Sequence, residues 1–188
     1  MDAHLTALPR REPATEGRLR PVAPGLWATP DEPLGGPANT CGFLLQRSEG
    51  NVFVYSSNRI AEYADHVDEL GGVDRVVLNH QVEATRFVTV LADRVGAPVR
   101  SHRLEVDACV GNGVREIDPF DGDTEFGSDL RAIHAPGHTP GTTAYLWNNP
   151  SDGRRYLFTG DTFTNFTIDR FPAVLGFHRY AGNVGDAR

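Results

Sequence analysis

The strongest constraint on the fold of this chain is a pair of apolar runs that each lead into a glycine-flanked polar residue. The first run leads into Pro-Gly-His-Thr-Pro-Gly, which contains His138, and the second leads into Thr-Gly-Asp-Thr, which contains Asp161. A strand that stops at a glycine turn presents the next side chain at the rim of a sheet, where a ligand can reach it. An imidazole and a carboxylate presented in this way suit a hard or borderline metal ion. The sequence therefore predicts strands whose ends carry metal ligands.

The first half of the chain has a different pattern, in which strands alternate with helices. Residues 60–70 have apolar side chains at helical spacing and are followed by two glycines, which predicts a helix that ends there. The segment 73–78 ends in three consecutive apolar residues, and it is predicted to be a short strand buried on both faces. A second helix is predicted over residues 83–95 and a further strand over residues 99–101. This order places His80 at the carboxyl end of a strand, where open α/β sheets bind ligands.

Other β-rich runs are separated by turn signals, and two pairs of them have the pattern of hairpins. The N-terminal segment lacks periodicity, which predicts a loose arm over residues 1–18 ahead of a single domain over residues 19–188. The remaining predicted strands are an edge strand at 19–29, the hairpins 41–46 with 51–55 and 142–147 with 155–158, and the runs 114–117 and 130–134, with an acidic turn at 118–129.

Composition limits the kind of partner. The net charge of the 188-residue chain is −7, and the sequence has no basic stripe and no nucleic-acid-reading motif, which favours a small-molecule substrate over nucleic acid. No apolar run approaches the length of a membrane span, and the N-terminus lacks the apolar segment of a signal peptide. We therefore expect no membrane partner and a cytoplasmic location. The sequence makes no prediction of the oligomeric state.

Four further residues are predicted to be structural or solvated. Cys41 and Cys109 stand alone in the sequence and are expected to be buried free thiols. His66, between acidic neighbours on a helical face, and His102, in a predicted loop, are expected to be exposed.

The motifs Pro-Gly-His-Thr-Pro-Gly and Phe-Thr-Gly-Asp-Thr resemble those of the metallo-β-lactamase superfamily, which includes glyoxalase II-like thioesterases and persulfide dioxygenases. The resemblance covers roughly residues 19–169. It implies an α/β fold, a four-layer αβ/βα sandwich in which two sheets pack back to back with helices outside.

The resemblance also shows which ligands this chain lacks. In the superfamily, the strand that corresponds to residues 73–78 ends in His-x-His-x-Asp-His, which supplies most ligands of a two-metal centre. Here His80 takes the first histidine position, but Val82, Ala84 and Thr85 stand at the positions of the second histidine, the aspartate and the last histidine. Neither valine nor alanine can bind a metal ion, so this motif does not predict the usual two-metal centre.

Two other ligand positions of the superfamily are altered as well. The aspartate that closes the second hairpin strand is replaced by Ser56 or Ser57, and His178 is the candidate for the late histidine. The chain ends at Arg188, earlier than these domains usually do, which implies a C-terminally shortened domain.

Three candidate metal ligands remain: His80, His138 and Asp161. Two histidines and a carboxylate with open positions form the facial triad that suits mononuclear Fe(II), and the same set can hold one Zn²⁺ with a water. In the resemblance, persulfide dioxygenases use the corresponding three positions for iron. We therefore predict one divalent ion, Zn or Fe. The alternative is that these residues hold loops by hydrogen bonds in a protein that has lost its metal.

Three neighbours are predicted to support the ligands. Glu83 would reach the ion if it lay one helical turn above it. His134 and Thr139 flank His138 and are expected to orient its loop. The acidic residues Asp121, Asp123, Glu125 and Asp129 are expected to form a solvated turn.

The predicted function is that of a metal-dependent hydrolase, with Asp161 and His80 as catalytic residues. A metal-bound water at a one-ion site would act on a small ester, thioester or lactone. One alternative is a mononuclear iron dioxygenase of a sulfur substrate. Another is a non-catalytic binding or scaffold protein with the same fold.

Overall fold

The computed structural model describes residues 16–33, 39–56, 59–164 and 174–175. Three α-helices lie in this part of the chain: α1 (Ala64–Glu69), α2 (Arg86–Val95) and α3 (Val106–Gly111). The strands are β1 (Arg20–Ala23), β2 (Leu26–Ala28), β3 (Glu32–Pro33), β4 (Asn39–Thr40), β5 (Phe43–Leu45), β6 (Val52–Val54), β7 (Arg75–Val77), β8 (Val99–His102), β9 (Asp118–Phe120), β10 (Thr124–Glu125), β11 (Leu130–His134), β12 (Thr143–Asn148), β13 (Arg155–Phe158), β14 (Phe163–Thr164) and β15 (Val174–Leu175).

Seven of these strands form a large mixed sheet in the order β1-β2-β5-β6-β7-β8-β9. The pairs from β1 to β6 are antiparallel, whereas β6, β7, β8 and β9 run parallel to one another. Parallel neighbours need crossover connections, and α1, α2 and α3 lie in the three connections between these strands. The carboxyl ends of β7 and β8 therefore meet at one edge of the sheet. His80 lies just beyond the end of β7.

A second sheet is an antiparallel meander in the order β10-β11-β12-β13. Its connections are short, as expected for antiparallel neighbours. The segment 135–142, which carries His138, connects β11 to β12, and Asp161 follows β13 in a 3-10 turn at Gly160–Thr162. Two further strand pairs, β3 with β4 and β14 with β15, form separate two-stranded sheets.

Two apolar clusters hold these elements together, one on each face of the large sheet. One cluster fills the space between the large sheet and the helices and includes Phe53, Val76 and Leu91. The other fills the space between the sheets and includes Tyr145 and Trp147. Each buried side chain of this size contributes roughly 1.5–3 kcal/mol. Within the described residues, the helices, the large sheet and the small sheet thus form three of the four predicted layers, and all three described α-helices contribute to the first cluster. In the described ranges, no helix is long and apolar enough to cross a membrane.

Most predicted elements are present in the structure. The two hairpins correspond to β5–β6 and β12–β13, and the buried strand corresponds to β7. The helix predicted over residues 60–70 consists of a 3-10 turn, Ile60–Tyr63, followed by α1. The helix predicted from residue 83 begins at Arg86, after a separate 3-10 turn at Gln81–Glu83.

The region between β8 and β11 differs from the prediction. The strand predicted at 114–117 is absent, because β9 forms instead at Asp118–Phe120, where the backbone pairs with β8. The predicted acidic turn at 118–129 therefore contains two strands, β9 and β10. Helix α3 was not predicted. The predicted edge strand at 19–29 is a hairpin of β1 and β2, with β1 at the sheet edge.

Two histidines that were expected to be exposed are buried. His66 is 4% exposed because its Nδ1 accepts a hydrogen bond of 2.8 Å from the backbone N–H of Leu19 and its ring packs edge-on against Trp27. His102 is also 4% exposed, at the end of β8, where its ring stacks on His134. Cys109 is a buried free thiol, as predicted, whereas Cys41 is half-buried.

The burial of His66 predicts a pH-dependent contribution to stability. Burial, and then the nearby Arg18, lower the pKa of His66 in the folded state. The unfolded chain therefore takes up a proton at this position at a higher pH than the folded chain does. The contribution of His66 is fully present above a pH of about 6.5 and is lost as the pH falls through the folded-state pKa.

The variant His66→Asn tests this prediction, since its carboxamide oxygen can replace Nδ1 as an acceptor but does not titrate. We expect the stability advantage of the wild type over His66→Asn, measured by urea unfolding, to be largest near neutral pH and to shrink in acid. A stability difference that is constant with pH would contradict the prediction.

Candidate metal centre

Three side chains from three separate segments come together where the two sheets meet. His80 follows β7, His138 lies between β11 and β12, and Asp161 lies in the 3-10 turn after β13. Each offers a donor atom, and these atoms all lie within 4.8 Å of one another. The Nε2 atoms of the two histidines are each 3.7 Å from Oδ2 of Asp161. The two imidazole rings are nearly perpendicular, with centroids 4.5 Å apart.

The two histidine–aspartate separations are close to those of ligands that share one metal ion. Two ligand atoms bound tetrahedrally to one zinc ion at about 2.1 Å are roughly 3.4 Å apart, so 3.7 Å needs only a small contraction. The Nε2 atom of His80 is buried and makes no hydrogen bond with any residue that the structure describes. Burial, and then the neighbouring His138, lower the pKa of His80 to about 3. Its imidazole is therefore neutral at pH 7, the form that binds a metal ion.

Asp161 gives the cluster its access to solvent. Its side chain is 48% exposed, whereas those of His80 and His138 are 2% and 7% exposed. Burial raises the pKa of Asp161, and His138 acts against that rise. A ligand or substrate can therefore approach from the carboxylate side, while the imidazoles form the closed side of the site.

Asn79 fixes the orientation of the His80 ring. The side-chain amide of Asn79 donates to the backbone oxygens of Thr143 and, at 3.4 Å, of Thr159, so its carbonyl oxygen Oδ1 must point the other way. Nδ1 of His80 lies 2.8 Å from this Oδ1, which can only accept. Nδ1 therefore carries the proton, and Nε2 presents its lone pair towards Asp161.

The turn that carries Asp161 is held by Asn79 and Tyr55. The backbone N–H of Asp161 donates to Oδ1 of Asn79 at 3.3 Å, and that of Gly160 donates to the hydroxyl oxygen of Tyr55 at 2.6 Å. Tyr55 has a φ of 72°, which is rare for a residue with a side chain and is often found near functional sites. Burial, and then the nearby Glu83, raise the pKa of Tyr55 well above its ordinary value, so it remains a neutral phenol.

Glu83 lies beside the cluster and is not one of the three donors. Its Oε2 accepts a hydrogen bond of 2.7 Å from the backbone N–H of Asn79, and its Oε1 is 3.9 Å from Nδ1 of His80, on the protonated side of the ring. Burial raises the pKa of Glu83 well above its ordinary value. Glu83 thus holds the backbone of the His80 turn and lies outside the three-donor group, and its supporting role beside an ion stays a prediction.

The two other predicted supports lie in different surroundings. The His134 ring stacks on His102, with centroids 4.2 Å apart, and its Nε2 lies 2.9 Å from the backbone oxygen of Pro140. His134 thus contacts the far end of the 135–142 segment and is outside the donor cluster. Thr139, directly after His138, is buried, and its hydroxyl donates to Oε1 of Glu105 at 2.8 Å.

Val82, Ala84 and Thr85, which stand where the resemblance predicts three further ligands, have neither an imidazole nor a carboxylate. Val82 is 52% exposed and Ala84 is buried, and together with Thr85, Arg86 and Asn112 they line an open cavity beside the His80 turn. Ser56, one of the two candidates for the position of the missing aspartate, is buried. Ser57 and His178 lie outside the described residues.

The predicted acidic turn is neutralised by arginines. Its carboxylates pair with guanidinium groups as follows: Asp121 with Arg103 at 2.8 Å, Asp123 with Arg131 at 2.7 Å, Glu125 with Arg131 at 3.5 Å and Asp129 with Arg47 at 2.5 Å. These pairs account for the acidic residues as structural groups, and most of them are at the surface.

Sequence reasoning missed the residues that hold the three donors. Asn79 is completely buried at the end of an apolar strand. Its place directly before His80 is the sequence feature that could have indicated its role. Tyr55 ends another apolar strand, and nothing in the sequence indicates its positive φ. Glu105 lies in a mixed charged segment and gives no signal, although it is fully buried.

The contact between Gly160 and Asn79 predicts a steric requirement for glycine before Asp161. A Cβ at Gly160 would lie 2.1–2.5 Å from the side-chain amide of Asn79, and Gly160 has a φ of 52°. We expect Gly160→Ala to lower the free energy of unfolding by about 1–3 kcal/mol in urea titrations, because the amide must shift. Gly153→Ala is the matched control, since Gly153 has a φ of 70° but a Cβ there would meet nothing within 4 Å. Equal losses in the two variants would show that backbone strain alone, and not the contact with Asn79, requires glycine at this position.

Comparisons with known proteins show similarity in structure. No protein-family model matches the sequence, and no curated protein is similar to it in sequence. SMB-1, a metallo-β-lactamase solved in complex with mercaptoacetic acid, superposes with a TM-score of 0.59 at 16% identity, over 74% of this chain and 62% of that chain. A mutant of the HARLDQ-motif metallo-β-lactamase from Cronobacter sakazakii has a TM-score of 0.57 at 16% identity, over 90% of this chain and 72% of that chain.

A third structure agrees with the first two. It is a B3 metallo-β-lactamase with an active-site glutamic acid, similar with a TM-score of 0.52 at 17% identity, over 69% of this chain and 60% of that chain. The chain thus spans less than two thirds of the length of SMB-1 and of the B3 enzyme. The chain has two sheets packed face to face, with helices on the large sheet, and it superposes on these three structures. We conclude that the chain has the metallo-β-lactamase fold.

Proposed function

We propose that the protein is a metal-dependent hydrolase that acts on a small ester, thioester or lactone at a site with one divalent ion. The observation that supports this proposal is the convergence of His80, His138 and Asp161, with the donor nitrogen of His80 buried and pointing at the carboxylate. A buried acceptor without a hydrogen bond costs free energy, and a bound cation would remove that cost.

Each residue has a defined part in this proposal. His80 and His138 would hold the ion as neutral donors, and Asp161 would hold it with the single negative charge of the set. A divalent ion in this place supplies a water of pKa about 7 and polarises the carbonyl group of a substrate. Asn79 keeps the proton of His80 on Nδ1, so that Nε2 stays available. The exposed side of Asp161 leaves room for the substrate.

The substrate class follows from the missing second set of ligands. Val82, Ala84 and Thr85 provide no imidazole or carboxylate for another ion, so the leaving group lacks the stabilisation that a second ion would give. Substrates with good leaving groups, such as thioesters and strained or activated esters, need that stabilisation least. The exposed Val82 also offers an apolar surface beside the His80 turn.

The same donor set supports a second candidate. Two histidines and one carboxylate with open positions are the ligands of mononuclear Fe(II) oxygenases, and this set favours an iron dioxygenase of a sulfur substrate as the alternative. The identity of the bound element distinguishes the two candidates. A protein without metal would be a binding or scaffold protein.

Metal content is the first test. We expect about one zinc or iron per chain by inductively coupled plasma mass spectrometry on protein purified without a metal-chelating tag, because the three donors fit one ion. His80→Ala and His138→Ala should lose this metal. His66→Asn, a histidine variant on the helix side of the large sheet, should retain it. A wild-type protein that stays metal-free after incubation with excess zinc and iron would contradict the proposal.

Turnover is the second test. We expect the zinc-loaded protein to hydrolyse at least one of three probes, p-nitrophenyl acetate, an acetyl thioester or γ-butyrolactone. Asp161→Asn should lower kcat/KM by about 100-fold or more, because the carboxylate ligand is lost while its shape is kept. Asp152→Asn, in the turn between β12 and β13, is the carboxylate control and should not change turnover. Hydrolysis that persists unchanged in Asp161→Asn would contradict the role of this residue.

A further inference from the structure

A buried carboxylate connects the two segments that carry the histidines. Glu105 lies at the end of a 3-10 turn after β8, directly before α3, and is fully buried. Its Oε2 accepts a hydrogen bond of 2.9 Å from the backbone N–H of Gln81, the residue after His80. Its Oε1 accepts from the hydroxyl of Thr139 at 2.8 Å and from the backbone N–H of Gly141 at 2.5 Å.

The chemistry of this contact requires a carboxylate. Three donors converge on two oxygen atoms, and Glu105 is an acceptor at both. A glutamine of the same shape has one acceptor oxygen and one donor nitrogen, so it would place a donor against a donor on one side. Hydrogen bonds to an ionised acceptor are roughly twice as strong as neutral ones, which favours the burial of the charge here.

The same contact requires glycine at position 141. A Cβ at this position would lie 2.6 Å from Cγ and 2.7 Å from Oε1 of Glu105, so a side chain there would push the carboxylate away. The last glycine of the Pro-Gly-His-Thr-Pro-Gly motif thus allows the backbone to approach Glu105. The hydroxyl of Thr139 completes the contact directly beside His138.

From these contacts we infer that Glu105 is a positioning residue for the metal centre, holding the His80 segment and the His138 segment at the separation that one ion needs. The inference rests on the proposed function, because it assigns Glu105 a part in metal binding. The hydrogen bonds described for Glu105 come from Gln81, Thr139 and Gly141. It acts through the backbone on the next residue in one segment and through Thr139 and Gly141 in the other.

The variant Glu105→Gln tests the inference, with zinc affinity measured by competition with a chromophoric chelator. We expect the affinity to fall by about 10–100-fold, the usual effect of losing a residue that orients metal ligands. The d–d absorption bands of the cobalt-substituted protein should shift, because the two imidazoles no longer meet at the same geometry. In the metal-free protein, the amide protons of Gln81 or Gly141 should exchange faster with solvent.

Asp129→Asn is the matched control for a general loss of stability. The Asp129 carboxylate also receives several side-chain donors, from Arg47 and from Trp147 Nε1, but it precedes β11, whereas His138 follows that strand. We expect this variant to lose stability and to bind zinc with wild-type affinity. If Glu105→Gln does not fold, Thr139→Val removes one donor and keeps the carboxylate, and it should show a smaller loss of zinc affinity.

The possible results separate the inference from the proposed function. A wild type that binds zinc, together with a Glu105→Gln variant of wild-type affinity and cobalt spectrum, would overturn the inference alone. Equal losses of affinity in Glu105→Gln and Asp129→Asn would also overturn it. A wild type that binds none of zinc, iron and cobalt would overturn the proposed function and, with it, the role of Glu105 in metal binding.

Discussion

The side-chain amide of Asn79 is the interaction on which the candidate site depends. It lies where the large sheet meets the small one, and it is completely buried. Its nitrogen donates to the backbone of Thr143 and Thr159, and its oxygen accepts from His80 and from the backbone of Asp161. An amide is the side-chain group that can donate on one side and accept on the other in this way. The joint between the sheets and the orientation of the ligands are therefore one hydrogen-bond network.

Close packing explains why glycines accompany the ligands in the sequence. Gly160 leaves space for the amide of Asn79, and Gly141 leaves space for the carboxylate of Glu105. Both glycines allow a buried polar side chain to reach a backbone segment that carries a ligand. The sequence pattern alone indicates only that these glycines allow turns at the ends of strands. The structure adds the physical reason: a methyl group at either position would occupy the place of the side chain that orients the site.

Sequence patterns predicted the elements that depend on local information. The three donors are predictable because each follows an apolar run, and β7 is predictable because its adjacent residues Val76 and Val77, which face opposite sides of the sheet, are both apolar. Contacts between segments that are distant in the sequence could not be predicted from it. His66 was assigned to the surface because its neighbours are acidic, although its Nδ1 accepts from Leu19, 47 positions away. Glu105 was missed for the same reason, since burial of a glutamate depends on donors from two remote segments. The β9 strand is defined by pairing with β8, and local hydrophobicity placed it several residues too early.

The location of the three donors connects metal binding with the stability of the whole domain. His80 follows a strand of the large sheet, whereas His138 and Asp161 lie in segments that flank strands of the small sheet. An ion bound by all three would cross-link the sheets at the place where Asn79 already joins them. Any ligand that binds the folded chain and not the unfolded one stabilises it, by roughly 2.7 kcal/mol at a free concentration of 100 times Kd. The residues that orient the ligands would therefore affect stability in two ways, through their own hydrogen bonds and through the affinity for the ion. The two effects can be separated by comparing the stability of the metal-free protein with that of the metal-bound protein.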